Sequence, residues 1–193
     1  MATKKKETIP VAASALFALF GKTVDDEAVQ AVIAASGKVK VEKPGRDGAY
    51  VFAKEAGYAL LLRPIPGAPR GAPQEVDEIF LHSDGQDGYR GFAFPFGIAA
   101  ATVNTDLHAQ LGPPLAKGFS SDLWKLDGFY VDVVYTQGDV AGVKVNGVYD
   151  TYRVLDLRVR AHELEWEQRR RQHDNTAVAA AVARQAKKPA AKR

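Results

Sequence analysis

The sequence predicts an α+β protein. In it, two tandem helix–β-β-β repeats form one antiparallel sheet, with the helices on one face and a C-terminal helical basic tail. Three observations lead to this fold class. The stretch "LFGKTVDDEAVQAVIAASGKVK" at 19–40 resembles "FPFGIAAATVNTDLHAQLGPPLAKG" at 94–118. Each stretch is followed by two β-like runs around a turn, and only the second half is followed by a charged, Ala-rich segment. The alternative is two unrelated α+β stretches that share common turn chemistry.

Each copy begins with a predicted amphipathic helix. In the first copy Thr23 is the expected N-cap and Gly37 the stop; in the second, Thr102 or Asn104 is the N-cap and Gly112 the stop. The apolar stripes are Val29, Val32 and Ile33 in the first helix, and Val103, Leu107 and Leu111 in the second. Each helix must bury its stripe, so we expect it to cover a sheet.

Each helix is followed by a predicted three-stranded meander. The strand segments are 49–64 with a turn at Gly57, 121–137 with a turn at Asp127-Gly128, and the third strands 76–83 and 140–147. Connections this short allow only antiparallel pairing. The number of residues between a segment of the first copy and its counterpart in the second copy decreases along the chain, because the first copy has the longer loops. Shortening of loops after a duplication would produce this steady decrease.

The two ends of the chain differ from the middle in charge. Residues 1–10 are expected to be a basic, disordered N-terminus, 11–148 the tandem-repeat domain, and 149–193 a C-terminal helix with a basic Ala/Lys-rich tail. In the tail, Val154, Leu157, Ala161, Leu164 and Trp166 stand at loosely helical spacing. Residues 11–149 carry a net negative charge although the chain as a whole has a net charge of +3. This distribution disfavours nucleic-acid binding by the core and leaves it open for the tail.

The composition favours a cytoplasmic protein. The chain of 193 residues contains 46% hydrophobic and 25% charged residues, which is ordinary for a globular protein, and it has no cysteine. Its apolar N-terminal run, 11–20, is interpreted as a core helix ending at Gly21, with a secretory signal peptide as the alternative. No apolar stretch approaches the roughly 20 residues that a membrane-spanning helix needs, so no membrane association is expected.

Catalytic and metal-binding patterns are missing from the sequence. The four histidines, His82, His108, His162 and His173, show no ligand spacing. The loop "HSDGQDGYRG" at 82–91 lacks the alternating oxygens and closing Glu of an EF-hand, and no P-loop, G-x-S-x-G or G-x-G-x-x-G occurs. We therefore expect a protein that is not an enzyme and that uses no metal and no cofactor.

Two short motifs carry a resemblance to known proteins. The segment "TVNTDLHAQLGPP" at 102–114, with the strands "DLWKLDG" and "FYVDVVY" that follow, resembles the tandem units of β-lactamase-inhibitor proteins and small outer-membrane assembly lipoproteins. The segment "VDEIFLHSDGQDGYRGFAFPFG" is similar to small bacterial proteins encoded beside secreted toxins, some of which are immunity proteins. The resemblance covers about 15–147 and implies a non-catalytic protein that covers another protein's surface. The chain lacks the cysteines of both named groups.

The sequence therefore predicts an immunity protein that neutralises a cognate bacterial secreted toxin by covering its active site. The mildly acidic middle suits a basic toxin, such as a nuclease-type effector. The alternative function is a nucleic-acid-associated or scaffold protein that acts through the basic tail. The expected partner-binding residues lie on the sheet face without helices and in adjoining loops: Leu61, Arg63, Asp84, Asp87, Tyr89, Trp124, Tyr130 and Asp132.

Overall fold

Eight antiparallel strands form a single sheet in the part of the chain that the structure describes. This computed structural model describes residues 11–45, 48–65, 69, 71–118, 120–137 and 152–162. The strands are β1 (Lys40–Val41), β2 (Ala49–Ala53), β3 (Tyr58–Pro64), β4 (Gln74–His82), β5 (Ala116–Lys117), β6 (Ser121–Leu126), β7 (Phe129–Gln137) and β8 (Tyr152–Arg160). Their order across the sheet is β1-β2-β3-β4-β8-β7-β6-β5. The prediction of an α+β protein with an antiparallel sheet is confirmed.

Both predicted hairpins are present, and their turns need glycine. A single 3-10 turn, Lys54–Ala56, joins β2 to β3 and ends at Gly57, whose φ is 80°. Asp127 and Gly128 join β6 to β7 with φ values of 49° and 89°. Two consecutive residues with positive φ match the twist of the flanking strands, and for this reason Asp-Gly is a strong hairpin signal.

The C-terminal part of the sheet differs from the sequence prediction. Residues Tyr152–Arg160 form β8, which lies between β4 and β7 near the middle of the sheet, so the expected helix from 149 is wrong for this segment. The reason is a β-bulge: Val134 pairs with Asp156 and Tyr135 with Val154, which leaves Leu155 as the extra residue. The bulge places the buried Val154 and Leu157 three residues apart, and this spacing imitates a helix.

Other predicted segments are not part of the described chain. The expected third strand of the second copy, 140–147, the basic N-terminus, 1–10, and the tail from 163 onward lie outside the described residues. Within the described chain, β8 is the strand that pairs with the free side of β7, as β4 pairs with β3.

Three helices are described: α1 (Ala13–Phe17), α2 (Glu27–Ala35) and α3 (Asn104–Leu111). The N-caps are Asp26 and Val103 rather than Thr23 and Thr102 or Asn104. Thr23 still has a role at the start of α2, because its backbone N–H donates to the Asp26 carboxylate at 2.6 Å. Gly37 and Gly112 follow the helices with φ values of 79° and 77°, as the stop prediction requires.

All three helices contribute to one hydrophobic core on one face of the sheet. Leu16 of α1, Val29 of α2 and Leu107 of α3 are fully buried and belong to the same cluster as the sheet residues Leu60 and Val131. Near the end of α2, the hydroxyls of Ser36 and Tyr58 form a buried hydrogen bond of 2.6 Å. We call this side of the sheet the helix face and the other side the far face.

Candidate functional site

The far face of the sheet presents two rows of side chains that cross six strands from β2 to β6. Strand pairing places partners on the same face, so the rows follow from the register. One row contains Phe52, Ala59, Phe80, Arg158, Asp132 and Leu123; the other contains Tyr50, Leu61, Glu78, Arg160, Tyr130 and Lys125. None of the three described helices packs on this face. Its residue types change from aromatic at β2–β4 to charged at β8 and β7.

The aromatic end contains a depression in the surface. Tyr50 stacks on Phe52 with ring centroids 5.4 Å apart and lies 6.0 Å from Phe80 at a tilted angle. Ala59 sits between Phe52 and Phe80 in the register, and its small side chain leaves space between the two rings. The result is a cavity of about 220 Å³ whose rim also includes Tyr89. The three rings Tyr50, Phe52 and Phe80 are half-buried.

Positively charged side chains lie over the rings of this face. Lys40 Nζ is 5.4 Å from the ring centre of Phe52, and the Arg158 guanidinium is 5.7 Å from that of Phe80. Lys54 Nζ is 5.2 Å from the Tyr89 ring. At the opposite end of the face, Lys125 Nζ is 5.2 Å from the ring of Tyr130, its cross-strand partner. These are cation–π distances, and each holds a positive charge at the surface of the sheet.

A buried ion pair lies at the centre of the face. Arg160 Nη1 donates to Glu78 Oε1 at 2.7 Å, and the two side chains are only 2% and 7% exposed. Arg63 Nε pairs with Asp77 at 3.1 Å, and its Nη2 is 4.0 Å from Glu78 Oε2. The carboxylates of the centre are therefore enclosed and neutralised, whereas Arg63 remains exposed.

Asp132 is the other buried carboxylate in these rows. Burial raises the pKa of Asp132 above its ordinary value, while a hydrogen bond from Ser121 and the charges of Arg160 and Arg158 oppose that rise. The side chain lies beside Arg158 in the register. Asp132 therefore lies within reach of the positive charges of both Arg158 and Arg160 on β8.

The loop after β4 is held tightly at the aromatic end of the far face. The ring of His82 stacks on Tyr89 with centroids 3.8 Å apart, and His82 Nδ1 lies 3.2 Å from Asp156 Oδ1. The backbone N–H of Gly91 donates to Asp84 at 3.1 Å. Burial, followed by the charges of Asp87 and Asp156, raises the pKa of Tyr89 to about 12. The loop is a packed structure built around a tyrosine that stays protonated.

Seven of the eight predicted contact residues lie on the far face or in this loop. Leu61, Arg63, Tyr130 and Asp132 are on the face, with Leu61 and Asp132 buried and Arg63 exposed; Asp84 and Asp87 are exposed in the loop, and Tyr89 is buried. Tyr130 and Asp132 are two residues apart on the far face of β7, whereas Arg63 lies near the C-terminal end of β3.

Trp124 is the exception, because it lies on the helix face. It is 3% exposed, belongs to the core cluster, and its Nε1 donates to the carbonyl of Gly112 at 3.1 Å. Leu123 and Trp124 are both apolar, so the alternation along β6 does not reveal which of them points to the helices. Trp124 is therefore a core residue that holds the end of α3.

Two groups of interacting residues were not anticipated from the sequence. Asp122 accepts hydrogen bonds from His108 Nε2 at 2.7 Å and from the hydroxyl of Tyr135 at 3.1 Å, and this trio ties α3 to the sheet. Burial, with the nearby Asp122 charge, raises the pKa of Tyr135 well above its usual range. The aromatic cluster of Tyr50, Phe52 and Phe80 was also missed, although Phe80 between Ile79 and Leu81 could have been assigned to the face opposite the core by period-two alternation.

The described residues show neither a metal site nor a membrane-spanning helix. No group of three or more His, Cys, Asp or Glu side chains among them is arranged to hold a metal ion. None of the described helices combines the length and the apolar character needed to cross a membrane. On the far face, six of the twelve row residues are buried, and the half-buried or exposed ones are the four aromatic residues and two cations: Tyr50, Phe52, Phe80, Tyr130, Lys125 and Arg158.

Comparison of the chain with known protein families, with characterised protein sequences and with solved structures finds no match.

Proposed function

We propose that this chain is a non-catalytic immunity protein that binds a cognate bacterial secreted toxin through the far face of its sheet and covers the toxin's active site. The observation that carries the proposal is the set of half-buried aromatic side chains on that face, Tyr50, Phe52, Phe80 and Tyr130. Tyrosine and arginine beside apolar rings are the residue types that dominate protein–protein binding energy. The toxin as partner follows from the resemblance of 76–97 to proteins encoded beside toxins.

The shape of the far face favours a macromolecular partner over a small substrate at that face. A larger cavity of about 1070 Å³ lies elsewhere, beside the start of α2, where Val24, Val41 and Leu62 are among its lining residues. The two rows extend across six strands, whereas the aromatic depression holds only about 220 Å³. Small-molecule sites are usually concave cavities of roughly 300–1,000 Å³ that enclose most of the ligand. A broad face with one small depression suits a protein surface that contributes a single protruding side chain.

As part of the same proposal, we infer that the sheet arose by duplication of a unit that contains a helix and four strands. Along the chain, α2 precedes the strands β1–β4 and α3 precedes the strands β5–β8. In the sheet, β1 and β5 are the two edge strands, and β4 and β8 are adjacent at the centre. When Gly57 is matched to Gly128, Leu60 matches Val131, and their β4 and β8 partners are Ile79 and Val159. These two residues are also paired with each other, as a two-fold axis through the sheet requires.

The experiment is co-expression of the chain with the toxin encoded by the neighbouring gene. We expect wild-type chain to rescue growth and to co-purify with the toxin. Tyr130→Ala should weaken the complex by about tenfold or more, as loss of an aromatic side chain from an interface does. Leu115→Ala is the matched control, since Leu115 is an exposed apolar residue, 37% exposed, in the α3–β5 connection. No rescue and no complex with the wild-type chain would reject the proposal.

The chain is proposed to act in the cytoplasm, and the alternative function through the basic tail is tested separately. Deletion of 168–193 removes the segment "RRR" and the final lysines and arginines. If the far face binds the toxin, the truncated chain still protects cells. If the protein instead works on nucleic acid, binding is steeply salt-dependent and is lost with the tail.

A further inference from the structure

We propose that the cavity beside the start of α2 is a second binding site of this chain, for a neutral, mainly apolar small molecule that carries one hydrogen-bond donor. The cavity has a volume of about 1070 Å³, and its lining includes Leu62, which belongs to the core on the helix face. It is therefore separate from the far face, and the inference goes beyond the proposed function. A volume of this size lies at the upper end of the range of roughly 300–1,000 Å³ that is usual for small-molecule sites.

Two positions of the sheet explain why this cavity is present in the first half of the chain. When Gly57 is matched to Gly128, counting along β3 and β7 places Pro64 at the position of Tyr135. Tyr135 is buried in the core on the helix face, whereas Pro64 is exposed and lines the cavity. A small ring thus occupies a position where the second half has a large one.

The second position is Ala49 of β2, which also lines the cavity. Ala49 pairs with Leu62, as Asp122 of β6 pairs with Val133, the residue that corresponds to Leu62 in the same match. In the second half, the carboxylate of Asp122 accepts hydrogen bonds from α3 and from β7 and joins them. Alanine makes no such bond, so the space between the helix and the sheet stays open in the first half.

The corresponding side chain of α2 makes its hydrogen bond away from the sheet. Gln30 follows the fully buried Val29 of α2, as His108 follows the fully buried Leu107 of α3. The His108 ring bonds to the sheet, but Gln30 Nε2 donates to the carbonyl oxygen of Val24 at 2.6 Å, just before its own helix. The first half therefore lacks all three side chains that close the equivalent space in the second half.

The described wall of the cavity is mainly apolar. Val24, Val41, Ala49, Leu62 and Pro64 all contribute to it. Val41 is 51% exposed, which is the highest value for a large hydrophobic residue in the described part of the chain. An apolar guest would remove this surface from water, and such burial is favourable.

One polar atom of a lining residue indicates that the guest carries a donor. Gln74 Nε2 donates to the carbonyl oxygen of Gly45 at 2.7 Å, but Gln74 Oε1 is buried and has no hydrogen-bond partner among the described residues. A buried acceptor without a partner costs free energy, and an O–H or N–H group of the guest would remove that cost. Thr23, a further polar residue of the wall, already donates its hydroxyl to Asp26 at 3.1 Å.

Charges of both signs surround the cavity, and they favour a neutral guest. The charged residues of its described wall are two carboxylates, Asp25 and Glu42. Glu42 lies 3.7 Å from Lys40, and Lys22 and Lys43 adjoin the lining residues along the chain. An anion would meet the carboxylates and a cation the nearby lysines, and either would lose hydration on entering an apolar wall.

The first test is an NMR titration of the full chain with naphthalene probes. 2-Naphthol is neutral and has an O–H donor, whereas 2-naphthoate and 2-naphthylmethylammonium carry the same rings with a negative or a positive charge. We expect 2-naphthol to shift the methyl signals of Val24, Val41 and Leu62 saturably and to bind more tightly than either charged probe. Equal or tighter binding of a charged probe, or shifts scattered over the molecule, would overturn the proposal.

Pro64→Tyr gives the first half the side chain that the second half has at Tyr135. Because Pro64 is exposed, the circular dichroism spectrum and melting temperature should stay near those of wild type, while saturable binding of 2-naphthol disappears. Ile65→Tyr is the matched control, since Ile65 is 40% exposed and does not line the cavity. A folded P64Y protein that binds 2-naphthol as wild type does, or an equal loss of binding in I65Y, contradicts the site.

Gln74→Leu tests the hydrogen bond to the guest, and it decides the matter if P64Y does not fold. 2-Methoxynaphthalene resembles 2-naphthol but has no donor. The ratio of the two affinities should change by about three- to tenfold between wild type and Q74L, because comparing two probes in two proteins isolates one hydrogen bond. An unchanged ratio would overturn the proposal.

The titrations use no toxin, so they judge the cavity separately from the proposed function. We expect P64Y to rescue growth as wild type does while it fails to bind 2-naphthol, which supports two separate sites. Loss of both properties in folded P64Y would place the cavity in the toxin interface and overturn the small-molecule site. A wild-type chain that never binds the toxin rejects the proposed function, and the titrations then still decide whether the cavity binds its guest.

Discussion

Replacing Gly57 by alanine should destabilise the protein far more than the same replacement at Gly128. Both glycines are in the left-handed region, with φ values of 80° and 89°, and both belong to a hairpin turn of the sheet. They differ in their surroundings. A Cβ at Gly57 would collide with the carbonyl oxygen of Arg90 and lie 2.9 Å from the amide nitrogen of Phe92. A Cβ at Gly128 would meet no atom within 4 Å.

The magnitudes follow from these two terms. The left-handed conformation costs a residue with a Cβ about 1–2 kcal/mol relative to glycine, and this cost applies at both positions. Inserting a methyl group into a packed contact adds about 1–3 kcal/mol at Gly57, because backbone atoms of 90–92 have to move. We therefore expect a loss of about 2–5 kcal/mol for G57A and of about 1–2 kcal/mol for G128A.

Urea denaturation followed by far-ultraviolet circular dichroism measures both losses. Hydrogen exchange supplies a local readout: the amides of Arg90 and Gly91, which donate to Lys54 O and to Asp84, should exchange faster in G57A and unchanged in G128A. Equal losses of stability in the two variants, or an unaltered exchange rate at 90–91 in G57A, would refute the conclusion that the loop is packed on the turn.

Three further predictions concern buried polar groups. Glu78→Gln replaces the carboxylate that accepts from the buried Arg160 Nη1 by a neutral amide and should cost about 3 kcal/mol in urea denaturation. The double variant E78L/R160M should recover most of this loss, and additive losses would contradict the reasoning. Tyr135→Phe removes the hydroxyl that donates to Asp122 and should cost about 1.5 kcal/mol, and an unchanged stability would show that the bond contributes nothing. The pKa of Tyr89 is raised to about 12 by burial, so the folded state holds this proton more tightly than the unfolded state. The protonated Tyr89 side chain therefore contributes stability that is fully present below pH about 10 and is lost between about 10 and 12. This loss should be absent from the pH profile of Y89F, and absorbance titrations together with melting temperatures measured against pH can check it.

The hairpins could be predicted because their signals are local. Asp127-Gly128 favours a turn with positive φ at both positions, so the turn can be recognised from these two residues. The flanking segments alternate with period two, and this alternation indicates which side chains of β7 point towards the helices. In the first half, Tyr58, Leu60 and Leu62 are all buried on the helix face, as their alternation indicates. The helices were equally recognisable from their apolar stripes and their following glycines.

Strand β8 could not be predicted because a bulge breaks its pattern. The extra Leu155 shifts the buried positions from Tyr152 and Val154 to Leu157 and Val159, and no sequence rule marks where a partner strand will skip a residue. Trp124 was misassigned for a related reason, since two adjacent apolar residues satisfy either facing until the helix packs on one of them.

By itself, the sequence determined the antiparallel hairpins, the helices that must bury one stripe, and the choice of the β3 and β7 residues that face away from the helices. These features depend on neighbours within a few positions along the chain. Tertiary structure alone decided that β8 enters the sheet beside β4, which aligns Arg160 with Glu78 and Arg158 with Phe80. Because that pairing joins residues about 80 positions apart, the enclosed ion pair of Arg160 with Glu78 and the position of Arg158 over the Phe80 ring arise only when the two halves of the sheet meet.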